Sequence, residues 1–289
     1  MEGALRGTRI ETVAIATCDA WPEPVAGLFP LVQAFQRRGL RVICLPWQSG
    51  EDRDFATAGL ILPLCAWDYA QAPGAFRGWI ARIAAAGGRF ANAPGLMLWN
   101  MDKGYLRDLA RAGVAVPPTV VLEGYDAATL RHRMTAEGWR TAVLKPAIGQ
   151  SGNGVTLIRA DDPADIPPSA ARHVLQPYLP AIREAGELTM VFVAGRFSHA
   201  VLRRPAAGEW RANSRYGVVL EPAVAPPAAL AEARLALAAL PGTPAYARID
   251  GLVGEAGFTV TEVELIEPAL FLHLCPERAG MVADDLLTA

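Results

Sequence analysis

Acidic residues alternate with apolar ones along two neighbouring segments near the C-terminus, Arg248-Ile-Asp250 and Glu262-Val-Glu264. This alternation is typical of strands, and the glycine-rich stretch 251–257 between the segments predicts a hairpin. Residues two apart on a strand share a face of the sheet, so the two glutamates point the same way. Arg248 and Asp250 likewise share a face of the partner strand. Three carboxylates can therefore converge on one side of a sheet.

Converging carboxylates repel one another unless a cation lies among them. Sites built only from oxygen ligands suit Mg²⁺ or Mn²⁺. The sequence thus predicts a metal centre formed by Asp250, Glu262 and Glu264. The alternative that these residues alone leave open is a solvated polar face with scattered acids.

Two lysines occur in contexts that suit an anionic ligand. Lys103 lies near a predicted helix start, in the segment WNMDKGYL, and Lys145 ends the predicted strand 141–145. Burying an ammonium group without a partner is costly, so a lysine that closes a buried strand favours a bound anion. A lysine that reaches solvent at the strand end is the alternative.

A glycine-rich loop follows Lys145, with the sequence GQSGNG at 149–154. Its spacing is similar to that of a dinucleotide fingerprint, but that motif needs a strand, a loop and then a helix. Here β-branched residues of a second strand follow the loop. We therefore predict a hairpin flap whose backbone N–H groups close over phosphates. The sequence has no GxxxxGK[ST] motif, which excludes a P-loop.

An extended apolar segment with Gln176, Tyr178 and Leu179 lies farther along the chain, and the acid Glu187 follows it. Backbone N–H and C=O groups of such a segment can meet an adenine edge. An acid shortly after it can accept hydrogen bonds from ribose hydroxyls. An ordinary strand leading into a loop is the alternative.

The composition indicates a folded globular protein, since 52% of the 289 residues are hydrophobic and 19% are charged. The net charge of -2 argues against broad binding to nucleic acid or to anionic membranes. The four cysteines are scattered without a CxxC motif, which argues against zinc and predicts a reduced, cytoplasmic setting. We expect no signal peptide, and the apolar stretch 228–240 is too short to span a bilayer.

The order of the predicted elements indicates an α/β fold. Strands at 12–17, 40–45 and 59–64 alternate with helices at 25–38 and 76–86, which predicts a small parallel α/β domain. The further predicted strands lie at 119–122, 141–145, 155–158, 173–175, 190–193 and 197–202, and the further predicted helices at 106–112, 127–137 and 227–240.

Taken together and in this order, these segments resemble the ATP-grasp superfamily. They are most similar to its glutathione synthetase-like branch, which contains the cycloserine-forming (O-ureidoserine cyclo-ligase) group. The segments that carry the resemblance are WNMDKGYL, VLKPAIGQSGNGV, QPYLPAIREAGE, SHAVLRRP, WRAN, ARIDG and TEVELIEP. The resemblance implies an α/β, ATP-grasp fold that clamps ATP. It divides the chain into an N-terminal parallel α/β domain at 1–98, a central lid subdomain at 99–177 and a C-terminal subdomain with the metal site at 178–289.

The resemblance also implies roles for individual residues. The three acids would ligate two Mg²⁺ ions, with Mn²⁺ as an alternative. Many relatives carry asparagine at the last of these positions, so Glu264 is a departure that still supplies an oxygen ligand. Arg248 and Arg211 would neutralise charge on the transferring phosphoryl group, assisted by Asn213. The residues implied to contact ATP are Lys103, Lys145, Gly149, Gln150, Ser151, Gly152, Gly154, Gln176, Tyr178, Leu179 and Glu187, with Glu184 as the alternative to Glu187 at the ribose.

The activity that the resemblance implies is that of a Mg-ATP-dependent carboxylate–amine ligase. It would form an acyl phosphate on a small amino acid or peptide, in natural-product biosynthesis. An intramolecular cyclo-ligase of the cycloserine type and a catalytically inert nucleotide-binding module are the alternatives. The implied partners are small-molecule carboxylate and amine substrates and a second copy in a homodimer. Nucleic acid and membranes are not expected partners.

The segment Trp67-Asp68-Tyr69 is a candidate for contacting the second substrate, because it follows a predicted strand where α/β sheets place ligands. Similar segments occur in the cycloserine-ligase-like proteins, often with an arginine shortly before. This chain has the apolar Leu64 there. Packing between domains is the alternative for the two aromatic residues. We expect His199 to be packed or to face substrate rather than to bind metal.

Overall fold

The computed structural model describes residues 10–161, 166–255 and 257–289. Its first sheet has three parallel strands in the order β2-β1-β3. The elements around it are β1 (Thr12–Thr17), α1 (Phe29–Arg37), β2 (Arg41–Pro46), α2 (Asp52–Thr57), β3 (Leu60–Leu62) and α3 (Pro73–Ala85). The predicted parallel α/β arrangement is confirmed. The short helix α2 escapes prediction because it buries only Phe55 and so lacks an apolar stripe.

The second sheet has four strands in the order β4-β7-β5-β6, and all its neighbouring strands are antiparallel. The elements of this part are α4 (Pro94–Asn100), α5 (Tyr105–Arg111), β4 (Val120–Leu122), α6 (Ala127–Ala136), β5 (Thr141–Pro146), β6 (Thr156–Arg159) and β7 (His173–Pro177). Leu130 and Met134 of α6 pack with Leu122, Leu144 and Leu175 of the strands. This sheet therefore has a hydrophobic core of its own.

The third sheet has five antiparallel strands in the order β10-β9-β8-β11-β12. Its elements are α7 (Ala181–Glu184), β8 (Glu187–Val193), β9 (Arg196–Arg204), β10 (Val219–Ala223), α8 (Pro227–Ala238), β11 (Tyr246–Gly254), β12 (Gly257–Glu264) and α9 (Ala279–Thr288). The predicted hairpin of β8 and β9 turns at Ala194 and Gly195, both with positive φ. The edge strand β10 and the helices α7 and α9 extend the architecture beyond the predicted elements.

The acidic hairpin has a shorter turn than the predicted 251–257, because β11 continues to Gly254. Gly251 lies inside this strand, at a register shift that follows Asp250. A Cβ atom at position 251 would lie 2.3 Å from the Phe258 ring. Glycine is therefore required here for the close approach of the two strands, and not for a turn.

The first and third sheets share one hydrophobic core. Ile15 of β1, Val191 of β8, Tyr246 of β11 and Leu286 of α9 all belong to the same buried cluster. The C-terminal helix α9 thus packs between the two sheets. In the parts of the chain that the structure describes, no helix combines the length and the apolar character needed to cross a membrane.

A buried amide reinforces this junction. The side chain of Asn92 donates to the carbonyl oxygens of Tyr246 at 2.9 Å and Leu265 at 2.7 Å. It also accepts from the backbone N–H of Ala245 at 2.7 Å. One side chain from the end of the N-terminal part therefore fixes β11 and the segment that leaves β12.

Candidate functional site

The three predicted acids meet on one face of the β11–β12 hairpin. Asp250 lies opposite Glu262 in the strand register, and Arg248 lies opposite Glu264. Carboxylate oxygens of the three acids lie within 4.8 Å of one another. We call Asp250, Glu262 and Glu264 the acid cluster. The two-residue alternation of each strand accounts for the convergence.

Two arginines hold Asp250 from different strands. Arg248 on β11 donates from Nη2 to Oδ2 at 2.8 Å and from Nε to Oδ1 at 3.0 Å, and it also contacts Glu264. Arg203 on β9 donates to Asp250 Oδ2 at 2.6 Å and pairs with Glu187 on β8. Arg203 is therefore a site residue that sequence reasoning missed. The alternating segment SHAVLRRP places Arg203 directly after a predicted strand. Its contact with Asp250, however, depends on the order of the strands in the sheet.

The surroundings shift the pKa values of the three acids in different directions. Burial raises the pKa of Asp250, but Arg203 and Arg248 outweigh it and hold that pKa below its ordinary value. Burial likewise opposes ionisation of Glu262, but the nearby lysines lower its pKa. For Glu264 burial prevails and raises the pKa well above its ordinary value. The ligand atoms that converge here are carboxylate oxygens within 4.8 Å of one another. The acid cluster therefore fits a divalent cation such as Mg²⁺.

The two predicted lysines lie beside the acid cluster. Lys103 Nζ lies 3.0 Å from Glu262 Oε1, and it also donates to the carbonyl oxygen of Gly149. Burial lowers its pKa, but Glu262 outweighs that effect and the pKa is raised. Among the described residues Lys145 has no ion-pair partner, and burial lowers its pKa with only partial compensation from Glu262. Lys145 is thus a cation in the cleft that remains available to an anionic ligand.

The glycine-rich loop connects β5 to β6 within an antiparallel hairpin. The hairpin prediction is confirmed, and the dinucleotide motif is excluded. The loop rests on the segment 210–216: a Cβ at Gly152 would lie 2.8 Å from Asn213 Oδ1, and Tyr216 donates to the Gly152 carbonyl at 3.3 Å. Gly152 has φ +70°, which favours glycine. The loop therefore forms one wall of the cleft.

The segment 210–216 that supports the loop also carries Arg211, whose contacts lie within and beside that segment rather than with the acid cluster. Its Nη2 donates to Glu209 at 2.8 Å, and its guanidinium lies 3.6 Å above the Tyr216 ring. The hydrogen bond from Arg211 lowers the pKa of Glu209 to about 2. Arg211 and Asn213 thus line the cleft, while Arg248 alone of the predicted polar catalytic residues contacts the acids.

The cleft has a cavity volume of about 100 Å³. It brings together most of the residues predicted from the sequence. Its lining includes Lys103, Lys145, Gly149, Gln150, Ser151, Gly152, Glu187, Arg203, Arg211, Asn213, Glu262 and Glu264.

The predicted adenine-side residues lie outside this lining. The Gln176 amide donates to Thr119 Oγ1 at 2.9 Å, and the Tyr178 ring packs against Trp210. The Tyr178 hydroxyl is buried without a hydrogen-bond partner in the described chain. Glu187, predicted to hold ribose, instead accepts from Thr261 at 2.6 Å beside the acid cluster.

A second, smaller cavity adjoins the cleft, since Glu262 and Glu264 line both, and its lining also includes Tyr69, Asn100 and Tyr105. Glu267 also lines it. Burial raises the pKa of Glu267 to about 8, although Lys103 partly offsets this rise. Sequence reasoning missed Glu267 because it lies beyond the end of β12, outside the strand alternation.

In the segment Trp67-Asp68-Tyr69, two residues make packing contacts and one lines the second cavity. Asp68 is buried and accepts from Trp47 Nε1 at 2.7 Å, so it holds the N-terminal part together. Trp67 donates to the backbone carbonyl of Glu267 at 3.3 Å, which agrees with packing between the N-terminal part and the third sheet. Only Tyr69 lines the cavity.

Comparisons with known proteins agree with this architecture. Residues 13–92 match the family described as the N-terminal domain of D-cycloserine synthetase DcsG. The cycloserine biosynthesis protein DcsG of Streptomyces lavendulae is 30% identical over 186 residues, which span 60% of this chain and 60% of that protein. The crystal structure of D-cycloserine synthetase DcsG matches with a TM-score of 0.83 and 26% identity, over 96% of this chain and 99% of that one.

Two other solved structures share the fold at lower identity. The ATP-grasp ligase PsnB, complexed with a minimal precursor, matches with a TM-score of 0.63 and 16% identity, over 96% of this chain and 99% of that one. The chain has the ATP-grasp fold. D-alanine–D-alanine ligase from Bacillus anthracis matches with a TM-score of 0.67 and 15% identity, over 96% of both chains.

These structural matches confirm the ATP-grasp fold predicted from the motif order. The match of residues 13–92 to the DcsG family also confirms the predicted likeness to the cycloserine-forming group. The division at 98 and 177 and the roles of the individual site residues stay predictions. Leu64, at the place where similar proteins often carry an arginine, is fully buried, so it offers no charge to a substrate.

Proposed function

We propose that this ATP-grasp protein is a Mg-ATP-dependent ligase that joins a carboxylate to an amine in natural-product biosynthesis. One observation carries the proposal: a single cleft sets Lys145, which lacks an ion-pair partner in the described chain, against three converging carboxylates. A polyphosphate is bound with a metal ion, so its site needs a cation for the phosphates and acidic ligands for the metal. The similarity to solved ligases supports the same reading.

The reaction needs no covalent nucleophile from the protein. A carboxylate oxygen of the substrate attacks the γ-phosphorus of ATP, which releases ADP and leaves an acyl phosphate. The amine then attacks the acyl carbon and displaces inorganic phosphate, and the amine loses its proton. In the proposal, Lys103, Lys145 and the N–H groups of 149–154 bind the phosphates. The loop also limits the access of water to the acyl phosphate.

Asp250, Glu262 and Glu264 would hold Mg²⁺, for which we propose two ions. The metal supplies positive charge against the phosphate oxygens. Arg248 and Arg203 orient the Asp250 carboxylate through the contacts described above. Arg211 lines the cleft, and release from Glu209 would let it reach an anionic group.

Trapping with hydroxylamine tests the proposal. Wild-type protein is incubated with Mg-ATP, hydroxylamine and pools of small carboxylic and amino acids, and both hydroxamate and ADP are measured. We expect hydroxamate to form from a subset of pools and to require both ATP and Mg²⁺. Absence of hydroxamate and ADP with every pool, while ATP still binds, would instead favour a nucleotide-binding module without catalysis.

Intramolecular ring closure is a second candidate, favoured by the TM-score of 0.83 to D-cycloserine synthetase DcsG. The two candidates differ in what the reaction consumes. A cyclo-ligase releases ADP from ATP and one substrate that carries both groups, and the product has lost one water. A joining ligase needs a separately added amine. Mass spectrometry of the product distinguishes them.

The proposal places the reaction in the cytoplasm, where ATP is available and thiols stay reduced. The four cysteines of the chain are free, in agreement with that setting. The proposed partners are small molecules, together with a second copy of the chain in a homodimer. Light scattering at several concentrations measures the oligomeric state.

A further inference from the structure

Two of the three acids of the cluster lie on the outermost strand of their sheet. In the described five-stranded sheet, β12 has β11 as its neighbour on one side only. The outward N–H and C=O groups of such an edge strand need other partners when they are buried. Val263, the residue between Glu262 and Glu264, presents its N–H and C=O groups at this edge. The position of the two acids therefore depends on what holds Val263.

Two buried side chains take the place of a further strand. The Tyr105 hydroxyl accepts from the N–H of Val263 at 2.8 Å and donates to its carbonyl oxygen at 2.9 Å. The Asn100 amide donates to the same carbonyl oxygen at 2.8 Å and accepts from the N–H of Leu265 at 2.9 Å. Tyr105 is 4% exposed and Asn100 is 8% exposed. Each side chain thus acts as donor and acceptor along the edge, as a neighbouring strand would.

The inner side of β12 does not fix the acids by itself. The register between β11 and β12 shifts directly after Asp250, which lies opposite Glu262. The next pair is Gly251 with Val260, so Thr261 has no partner in this ladder. Such an irregularity bends a strand and weakens its pairing locally. The converging carboxylates also repel one another in the absence of a cation. The hydrogen bonds at the outer edge of β12 oppose both effects.

The segment that carries these two side chains also carries a lysine of the cleft. Lys103 lies between Asn100 and Tyr105 in the chain, and its Nζ is 3.0 Å from Glu262 Oε1. Its backbone N–H donates to the carbonyl oxygen of Ala147 at 2.8 Å, just before the glycine-rich loop. Since the segment is bound to β12 on both sides of Lys103, the same hydrogen bonds set the distance between this lysine and Glu262.

We infer that Tyr105 and Asn100 are positioning residues that hold Glu262 and Glu264 at the spacing a divalent cation requires. The inference rests on the proposed function, because it takes the acid cluster as the Mg²⁺ site. In the described chain neither side chain hydrogen-bonds to an acid of the cluster, and both act through the backbone of β12. Removal of groups that orient the ligands of a metal typically weakens metal binding about 10- to 100-fold.

Binding of Mn²⁺ alone tests the inference, with free Mn²⁺ measured by its electron paramagnetic resonance signal. Tyr105→Phe removes only the hydroxyl group and keeps the ring in the core. Tyr246→Phe is the matched control, because its hydroxyl is also buried and donates to a backbone carbonyl outside β12, that of Ile266, at 2.7 Å. We expect Tyr105→Phe to bind Mn²⁺ about tenfold more weakly than wild type. Tyr246→Phe should bind as wild type does.

Urea unfolding of the metal-free proteins separates positioning from a general loss of stability. Each tyrosine variant loses hydrogen bonding of one buried hydroxyl, so both should be destabilised, whereas only Tyr105→Phe should lose affinity for Mn²⁺. The inference is overturned if wild type binds no Mn²⁺, if Tyr105→Phe binds as tightly as wild type, or if both variants lose affinity alike. Asn100→Ala should also weaken the binding, and wild-type affinity in this variant would overturn the assignment of Asn100.

The outcome for the positioning role is distinguishable from the outcome for the ligase proposal. Weaker Mn²⁺ binding by Tyr105→Phe, together with no hydroxamate formation by wild type, would refute the ligase proposal and leave the positioning role standing. Hydroxamate formation by wild type with unchanged Mn²⁺ affinity in Tyr105→Phe would have the opposite meaning.

Discussion

Arg203 and Arg248 approach the same carboxylate from two strands, so Asp250 is fully buried and still ionised. A residue held in this way has a fixed orientation before any ligand arrives. Enzymes that transfer phosphoryl groups stabilise the transition state mainly with charged groups that are already in position before the reaction. The individual side chains of the acid cluster should therefore be sensitive to changes that preserve shape but remove charge.

Asp250→Asn should lower kcat/KM for ATP-dependent hydroxamate formation at least about a hundredfold, because a lost charged metal ligand costs several kcal/mol of barrier. Steady-state kinetics at saturating Mg²⁺ measure this. Asp161→Asn, on the exposed Arg159–Asp161 pair, is the matched control and should change little. An Asp250→Asn protein that is folded and within threefold of wild-type activity would contradict the metal assignment.

Arg203→Met should destabilise the protein by about 3 to 5 kcal/mol without Mg²⁺, because Glu187 and Asp250 lose a buried partner. Saturating Mg²⁺ should recover part of this loss by supplying positive charge at the same acids. Urea unfolding with and without MgCl₂ measures both effects. Arg204→Met is the matched neighbour: its partner Glu221 is 3.7 Å away and exposed, so we expect a change below about 0.5 kcal/mol. An equal loss of stability with and without MgCl₂ would argue against a metal ion at the acid cluster.

The site residues differ in how far sequence can predict them. Asp250, Glu262 and Glu264 follow from the two-residue period of strands, which is a local property. Arg203 does not follow, because its contact with Asp250 requires β8 to lie between β9 and β11. Glu267 does not follow either, because the cavity that it lines also depends on Tyr69, which comes from the N-terminal part. Contacts set by strand order and by packing between sheets are not encoded in local periodicity.

At the scale of elements, the β11–β12 hairpin carries the acids and has little tolerance for change. Gly251→Ala should destabilise the protein by about 1 to 3 kcal/mol, since the added methyl group collides with the Phe258 ring. Gly242→Ala is the control, because no atom lies within 4 Å of a Cβ at that position. Thermal unfolding of both variants measures the difference. Equal stability of the two would show that the strands can separate at Gly251.

The elements predicted correctly are those with strong periodicity or a buried run, such as β1, in which five of six residues are buried. The missed elements are short or sit at an edge. The strand β10 has no buried residue, and so its sequence shows no alternation to detect. The helix α9 packs against α1, a long-range contact that its own sequence does not reveal.

At the scale of the whole molecule, the shared core predicts cooperative unfolding of the first and third sheets. Asn92→Ala would leave the buried backbone groups of Ala245, Tyr246 and Leu265 without partners, and each unsatisfied group costs about 1 to 3 kcal/mol. We expect a large loss of stability with a single transition for both sheets. Urea unfolding followed by hydrogen exchange measures it. Selective loss of protection in the first sheet alone would contradict a shared core.

Global stability should also fall on mild acidification because of His199. Its Nε2 lies 2.7 Å from the Leu270 carbonyl oxygen, and burial lowers its pKa from the ordinary 6.5. Below pH 6.5 the unfolded chain therefore binds more protons than the folded one, and the free energy of unfolding decreases as the pH falls. In His199→Gln this part of the decrease should vanish. Urea unfolding of both proteins at several pH values between 5 and 8 measures the free energy of unfolding. The same dependence of this free energy on pH in both proteins would contradict the prediction.

The separate core of the four-stranded sheet has a consequence for how such chains diversify. A segment whose apolar residues pack among themselves can be exchanged between relatives by recombination without repacking the remainder. The parallel N-terminal part has less such freedom, because one of its two buried clusters also contains residues of the five-stranded sheet. Under the proposed function, the phosphate-binding loop between β5 and β6 would be inherited with this module, whereas the N-terminal part would change by point substitution in place.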